Sequence, residues 1–185
     1  LNTASKLEII SDCTEQLNEA VYVMKEGIDF HSDKESEIAK LASESLNKHI
    51  VVHTTSPDIH SVGIRVVGQI NENSKYPASN GCYPELNHNE IVGWDETSGK
   101  YCLLVLRSSS EHTQVSRRVD ITNDLLKDQF EFIREFHAKG NSKLAQIFSL
   151  IQVGDYFSCH LSRVAGKNPI PVTRIDILKD RLSKG

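Results

Sequence analysis

Apolar residues in the first quarter of the chain recur at helical steps. Leu7, Ile10, Leu17, Val21 and Met24 follow at three- and four-residue intervals, with Cys13 and Thr14 filling the gap, which predicts a helix over 3–26 stopped by Gly27. A second helix is expected over 33–48. Ser32 is its N-cap, Glu35 completes an S-x-x-E capping box, and Ile38, Leu41, Ala42 and Leu46 form the apolar stripe. The pattern then shortens. Ile50, Val51 and Val52 read as a strand, as do residues 62–70, while 71–89 is a long loop rich in Asn, Ser, Pro and Gly, of a length that is often functional. Residues 90–94 and 100–107 read as a hairpin turning at 95–99. A strong helix is expected over 123–139, lined by Leu125, Leu126, Phe130, Ile133 and Phe136 and ended by Gly140. Ser142 caps a shorter helix carrying Leu144, Ile147, Phe148 and Ile151, and residues 156–163 and 172–178 read as strands.

These elements predict an α+β fold. An N-terminal helical hairpin (1–49) precedes a mixed or antiparallel sheet with one long and one short helix packed on it (50–185), together one domain. The start at Leu1 is compatible with a piece of a longer protein.

Composition narrows the partners. The chain of 185 residues is 38% apolar and 25% charged, ordinary for a globular domain, and its net charge of −4 argues against duplex DNA and basic membrane-surface binding. No apolar run approaches the roughly 18 residues of a membrane span. Lys6, Glu8, Asp12, Glu15 and Glu19 break any signal-peptide core. Four scattered cysteines form no C-x-x-C pair; Cys13, Cys102 and Cys159 read as reduced core thiols, and the expected location is the cytoplasm.

Two segments carry candidate chemistry: Val52-His53-Thr54-Thr55 and Cys159-His160-Leu161-Ser162. On a strand, residues i and i+2 share a face, so His53 with Thr55, and His160 with Ser162, would each present an imidazole and a hydroxyl. Two such strands side by side suit phosphodiester cleavage without a metal, one His as base and the other as acid. His49, His53 and His60 with Asp58 are a weaker metal candidate, and Cys82 with His88 a weaker nucleophile–base pair.

The pattern resembles the two-histidine phosphoesterases, the family of bacterial RNA 2′,3′-cyclic phosphodiesterases. The segment Phe157-Ser158-Cys159-His160-Leu161-Ser162-Arg163-Val164 is similar to that family's second motif. The run from Pro171 to Leu178, with Leu182 and Gly185, resembles its closing strand and tail. The resemblance covers roughly residues 100–185. It implies a metal-independent phosphodiesterase acting on a cyclic or 2′-5′ nucleotide phosphate, with a small nucleotide or RNA end as substrate and no cofactor. His53, Thr55, His160 and Ser162 would be catalytic and Arg163 would contact the anionic substrate. The alternative is a non-enzymatic binding or regulatory domain of a larger protein, with a protein partner.

Overall fold

The computed structural model describes residues 1–95 and 100–184, and of Asn2 the backbone alone. The elements run α1 (Asn2–Lys6), α2 (Thr14–Ser32), α3 (Glu37–Glu44), β1 (His49–Thr54), α4 (Pro57–Gln69), β2 (Ala78–Cys82), β3 (Tyr101–Arg107), α5 (Thr113–Leu126), β4 (Ile133–His137), α6 (Lys143–Val164) and α7 (Thr173–Leu182). A π-helical turn at Ile70–Ser74 follows α4, and two 3-10 turns, Glu85–His88 and Glu90–Trp94, lie between β2 and β3.

The four strands lie in the order β2-β1-β3-β4, and every neighbouring pair is parallel. This is an α/β architecture, and it corrects the expected α+β fold with a mixed or antiparallel sheet. Parallel strands are joined by crossovers that cover the sheet, so the central strands are apolar on both sides. Ile50-Val51-Val52 in β1 and Cys102-Leu103-Leu104-Val105-Leu106 in β3 are such runs, all buried. Their alternation splits the core. Ile50, Val52, Cys102, Leu104 and Leu106 pack with Ile59, Val62 and Val66 of α4 and Leu150, Phe157 and Leu161 of α6. Val51, Leu103 and Val105 pack on the other face with Tyr83, Leu86 and, from α5, Val119 and Leu126. Each fully buried leucine of this kind contributes about 1.5–3 kcal/mol.

Several expected strands are helices. Residues 62–70 are β-branched, yet Ile59, Val62, Val66 and Ile70 are buried at helical steps. The helix starts where Ser56 accepts the Asp58 N–H at 3.2 Å and Pro57 supplies a preset first turn. Residues 156–163 lie within α6, which Ser142 caps through the Ala145 N–H at 3.2 Å, and most of 172–178 belongs to α7. The helix expected over 123–139 ends at Leu126, and β4 follows. Ile133 and Phe136 would share a helix face at three residues apart, but on a strand they diverge, and they pack into opposite clusters. Residues 90–94 are a 3-10 turn, and β3 pairs in parallel with β1 and β4; of the expected hairpin turn, residues 96–99 lie outside the described residues.

At the N-terminus, the helix expected over 3–26 is two helices, and α2 runs through Gly27 to Ser32. Gly27 serves close packing: a Cβ there would run into Gln152 Oε1 of α6. Gln152 Nε2 meanwhile donates to the Met24 carbonyl at 2.8 Å. The second helix starts later than expected, with Ser36 rather than Ser32 accepting the Ala39 N–H at 3.2 Å. Both α2 and α3 pack on α6. Cys13 and Cys102 are buried, whereas Cys159 is exposed on α6, contrary to its expected core position.

Candidate functional site

The chain leaves β1 toward one face of the sheet, through α4, and leaves β3 toward the other, through α5. Such a divergence opens a crevice at the carboxyl ends of the strands, the usual ligand position in open α/β sheets. Thr55 and Ser108, both buried, follow the carboxyl ends of β1 and β3. The Thr55 N–H donates to the Leu106 carbonyl at 3.2 Å, and the Ser108 N–H donates to Thr55 Oγ1 at 3.3 Å.

The serine loop after β3 is already occupied by its own protein. Ser108 Oγ donates to Gln146 Oε1 at 2.9 Å, and the Ser109 N–H donates to the same oxygen at 3.1 Å. Gln146 Nε2 donates to Ser109 Oγ at 2.5 Å, and the Ser108 and Ser110 hydroxyls share a bond of 2.8 Å. A cavity of about 320 Å³ opens beside this loop, lined by Arg107, Ser109, Glu111, Thr113 and His137 among others. Arg107 is buried and meets three carboxylates: Glu111 at 2.5 Å, Glu135 at 2.9 Å and Asp120 at 3.1 Å. Burial alone would make its guanidinium less basic, but hydrogen bonds to Glu111 and Glu135 outweigh that and hold Arg107 above its ordinary value. The Arg107 N–H groups are all engaged, by Glu111, Asp120, Glu135 and Ser116, so the guanidinium offers no free donor to an anion in the cavity.

A second polar cluster lies on the β1–β2 side. His53 is fully buried on β1, level with Gly81 of β2. Its Nε2 lies 2.7 Å from Glu90 Oε1, while its Nδ1 is buried with no partner among the described residues. Glu90 opens a 3-10 turn, and its N–H donates to Asn89 Oδ1 at 2.6 Å. The Glu90 side chain is 28% exposed, and Oε2 has no hydrogen-bond partner among the described residues. Gly81 makes the approach possible, because a Cβ there would run into Glu90 Oε2. The Tyr83 ring stands edge-on to His53 with centroids 5.7 Å apart, and burial raises its phenol above its ordinary pKa.

The residues singled out in the sequence do not converge. His53 and Thr55 belong to the sheet and its exit. His160 and Ser162 lie on α6, where residues two apart do not share a face. His160 Nε2 donates to the His31 carbonyl at 2.8 Å, across the α2–α6 contact, and Ser162 Oγ donates to the Lys167 carbonyl at 2.8 Å. Arg163 is exposed. His49 Nε2 sits 3.0 Å from Ser79 Oγ, His60 lies beside Thr54, and no three metal-ligating side chains gather among the described residues. Cys82 is half-buried, with its thiol on the Tyr83 carbonyl. Glu90 was not singled out. Its only signal was position, at the end of the long polar loop, in the run Asn87-His88-Asn89-Glu90.

Residues 34–182 match the model of the bacterial phospho-glucose isomerase C-terminal SIS domain. The chain is 36% identical to a bifunctional phosphoglucose/phosphomannose isomerase of Caldicellulosiruptor bescii, over 97% of its own length and 55% of that protein's. It is 33% identical to the enzyme of the same name from Aquifex aeolicus, over 96% of its length and 55% of the relative's. The chain thus spans about half the length of these relatives. Among solved structures, a glucose-6-phosphate isomerase like protein from Thermus thermophilus superposes with a TM-score of 0.72 at 15% identity, covering 90% of this chain and 56% of that one, which shows a shared fold.

These matches overturn the resemblance to two-histidine phosphoesterases and, with it, the expected phosphodiesterase activity on a nucleotide or RNA end. Two His-x-Ser/Thr triplets placed on different kinds of element carry no such site. The binding-domain alternative gains no support from the matches either. No helix among the described residues is long and apolar enough to cross a membrane. On its matching residues and its relatives, the chain belongs to the bacterial phospho-glucose isomerase C-terminal SIS domain family.

Proposed function

We propose that this chain supplies the proton-transfer part of an isomerase acting on the phosphates of glucose and mannose, with Glu90 as the base. The observation that carries the reading is the 36% identity, over nearly the whole chain, to an enzyme named for both sugars. The site chemistry agrees with it. Glucose and mannose differ only in configuration at C2, so loss of the C2 proton takes both to the same enediol. One carboxylate suffices for the transfer. It takes the proton from C2 as the C1=C2 double bond forms and O1 gains a proton from water, then returns a proton to C1 as O2 gives its hydroxyl proton back to water and becomes the ketone. Glu90 has one oxygen held by His53 and the other open, which suits a group that must shuttle a proton without turning.

Phosphate recognition in this reading lies outside the serine loop of this chain, because Gln146 fills that loop and the Arg107 donors beside it are taken up by carboxylates and Ser116. Cytoplasmic residence belongs to the same proposal, and four free cysteines suit a reducing compartment.

The test is a coupled assay of glucose 6-phosphate and mannose 6-phosphate isomerisation by the intact gene product. Glu90→Gln is expected to lower kcat by about 10²–10⁴-fold, the usual worth of a general base, while circular dichroism stays that of the wild type. An intact protein without isomerase activity on either sugar, or a fully active Glu90→Gln variant, contradicts the proposal.

A further inference from the structure

We infer that His53 is a positioning residue for Glu90, fixing which carboxylate oxygen takes the substrate proton; the inference rests on the isomerase reading above. His53 is a costly choice for its place. It is fully buried on β1, between Val52 and Thr54, in a strand whose other core residues are Ile50, Val51 and Val52. A buried imidazole without full hydrogen bonding costs stability that a leucine or valine there would not. The ring's hydrogen-bond partner among the described residues is Glu90 Oε1 at 2.7 Å, and Nδ1 has none. The surroundings serve the same contact. Gly81, level with His53 on the neighbouring strand, leaves the space that Glu90 Oε2 occupies. Asn89 holds the Glu90 backbone at 2.6 Å, and Tyr83 braces the ring edge-on.

The unpartnered Nδ1 decides where the hydrogens sit. A neutral ring with its hydrogen on Nε2 donates to Glu90 Oε1 and leaves only a bare lone pair at Nδ1. Placing a proton on Oε1 would force the ring to accept at Nε2 and carry its hydrogen on Nδ1, where no acceptor stands among the described residues. Oε1 is thereby reserved as an acceptor, and Oε2 is the oxygen that receives the proton from C2. When Oε2 is protonated, Oε1 becomes the carbonyl oxygen of the acid and still accepts from His53. The same bond therefore persists through both proton transfers, and delivery to C1 needs no rotation of the carboxyl group.

Three readouts on the intact gene product test this. The His53 ring nitrogens in ¹⁵N NMR should show hydrogen on Nε2 and a bare Nδ1; hydrogen on Nδ1 overturns the inference, with or without isomerase activity. His53→Leu should lower kcat by about 10- to 100-fold, the scale of a small misplacement of a catalytic group, with KM nearly unchanged and thermal stability kept or raised. His53→Gln, whose side-chain amide can still donate, should recover most of that loss. A Leu variant with wild-type kcat, or a Gln variant as slow as a folded Leu variant, overturns it. If the Leu variant fails to fold, the Gln variant with wild-type-like kcat and the NMR tautomer support the assignment, and either one failing sinks it. A wild-type protein inactive on both sugars would sink the isomerase reading instead, while the tautomer result stands separately.

Discussion

At the carboxyl end of β3, the Ser108, Ser109 and Ser110 hydroxyls are spent on one another and on Gln146 of α6. Beside β1 and β2, the His53–Glu90 pair leaves one buried ring nitrogen and one carboxylate oxygen without partners among the described residues. The first cluster has three hydroxyls in a row before a helix. Its internal saturation makes it a brace between the β3 loop and α6. In the second, His53 stands out in sequence and Glu90 does not, and the incomplete bonding is what a reacting group requires, because a fully satisfied carboxylate has no lone pair to offer. Hydrogen-bond accounting, rather than residue type, separates structural from chemical polar groups here.

Substitutions that act on one cluster and spare the other sharpen this contrast. The largest effect after Glu90→Gln itself is expected for Gly81→Val, whose Cβ would run into Glu90 Oε2. It should lower kcat by about 10- to 100-fold through misplacement of the carboxylate. Steady-state kinetics beside a melting curve check this, and a Gly81→Val protein of wild-type kcat would break the assigned geometry. Gln146→Leu should do the opposite. It strands the Ser109 N–H and the Ser108 hydroxyl, costing about 1–3 kcal/mol in denaturant unfolding, and leaves kcat near the wild type. Selective loss of substrate affinity in that variant would mean the serine loop is a binding site after all.

Smaller effects concern the frame around both clusters. Burial pushes the Cys102 thiol up to about 11, so a thiol reagent at neutral pH should modify exposed Cys159 and half-buried Cys82 well before Cys102. Mass mapping of the labelled native protein reads the order. The His31 imidazole, at the α2–α6 contact, is held below its ordinary value, first by burial, then by the charges of Lys139 and His160. A depressed folded-state pKa means the unfolded chain takes up the proton first. Stability is therefore retained above the unfolded histidine value of about pH 6.5 and lost as the pH falls toward the folded-state value. The melting temperature should drop on acidification through that range, and less so in His31→Gln.

Part of this was legible in the sequence. The Ser142 cap and the apolar run at 100–107 stood out, whereas the loop expected over 71–89 holds the edge strand β2 and a 3-10 turn, which its polar residues did not signal. The parallel sheet did not stand out either, although its signal was present. Ile50-Val51-Val52 and the run 102–106 lack the polar alternation of a one-sided antiparallel strand, which marks burial on both faces. Residues 62–70 misled because valine and isoleucine favour strands, whereas the burial of Ile59, Val62 and Val66 by helices and sheet outweighs that small preference. Phe130, Ile133 and Phe136 have helical spacing but are divided between the two cores by a strand. The His53–Glu90 contact joins residues 37 apart through a 3-10 turn, and no local pattern announces it.

The central claim, that Glu90 moves a proton between C2 and C1, is tested most directly by following deuterium. The intact gene product would be incubated with glucose 6-phosphate in deuterated water, and the label read by NMR. Wild type should place solvent deuterium at C1 of the ketose and, on reversal, at C2 of the aldose, while Glu90→Gln should leave both positions unlabelled over the same time. Equal labelling by the folded Glu90→Gln variant would contradict the account.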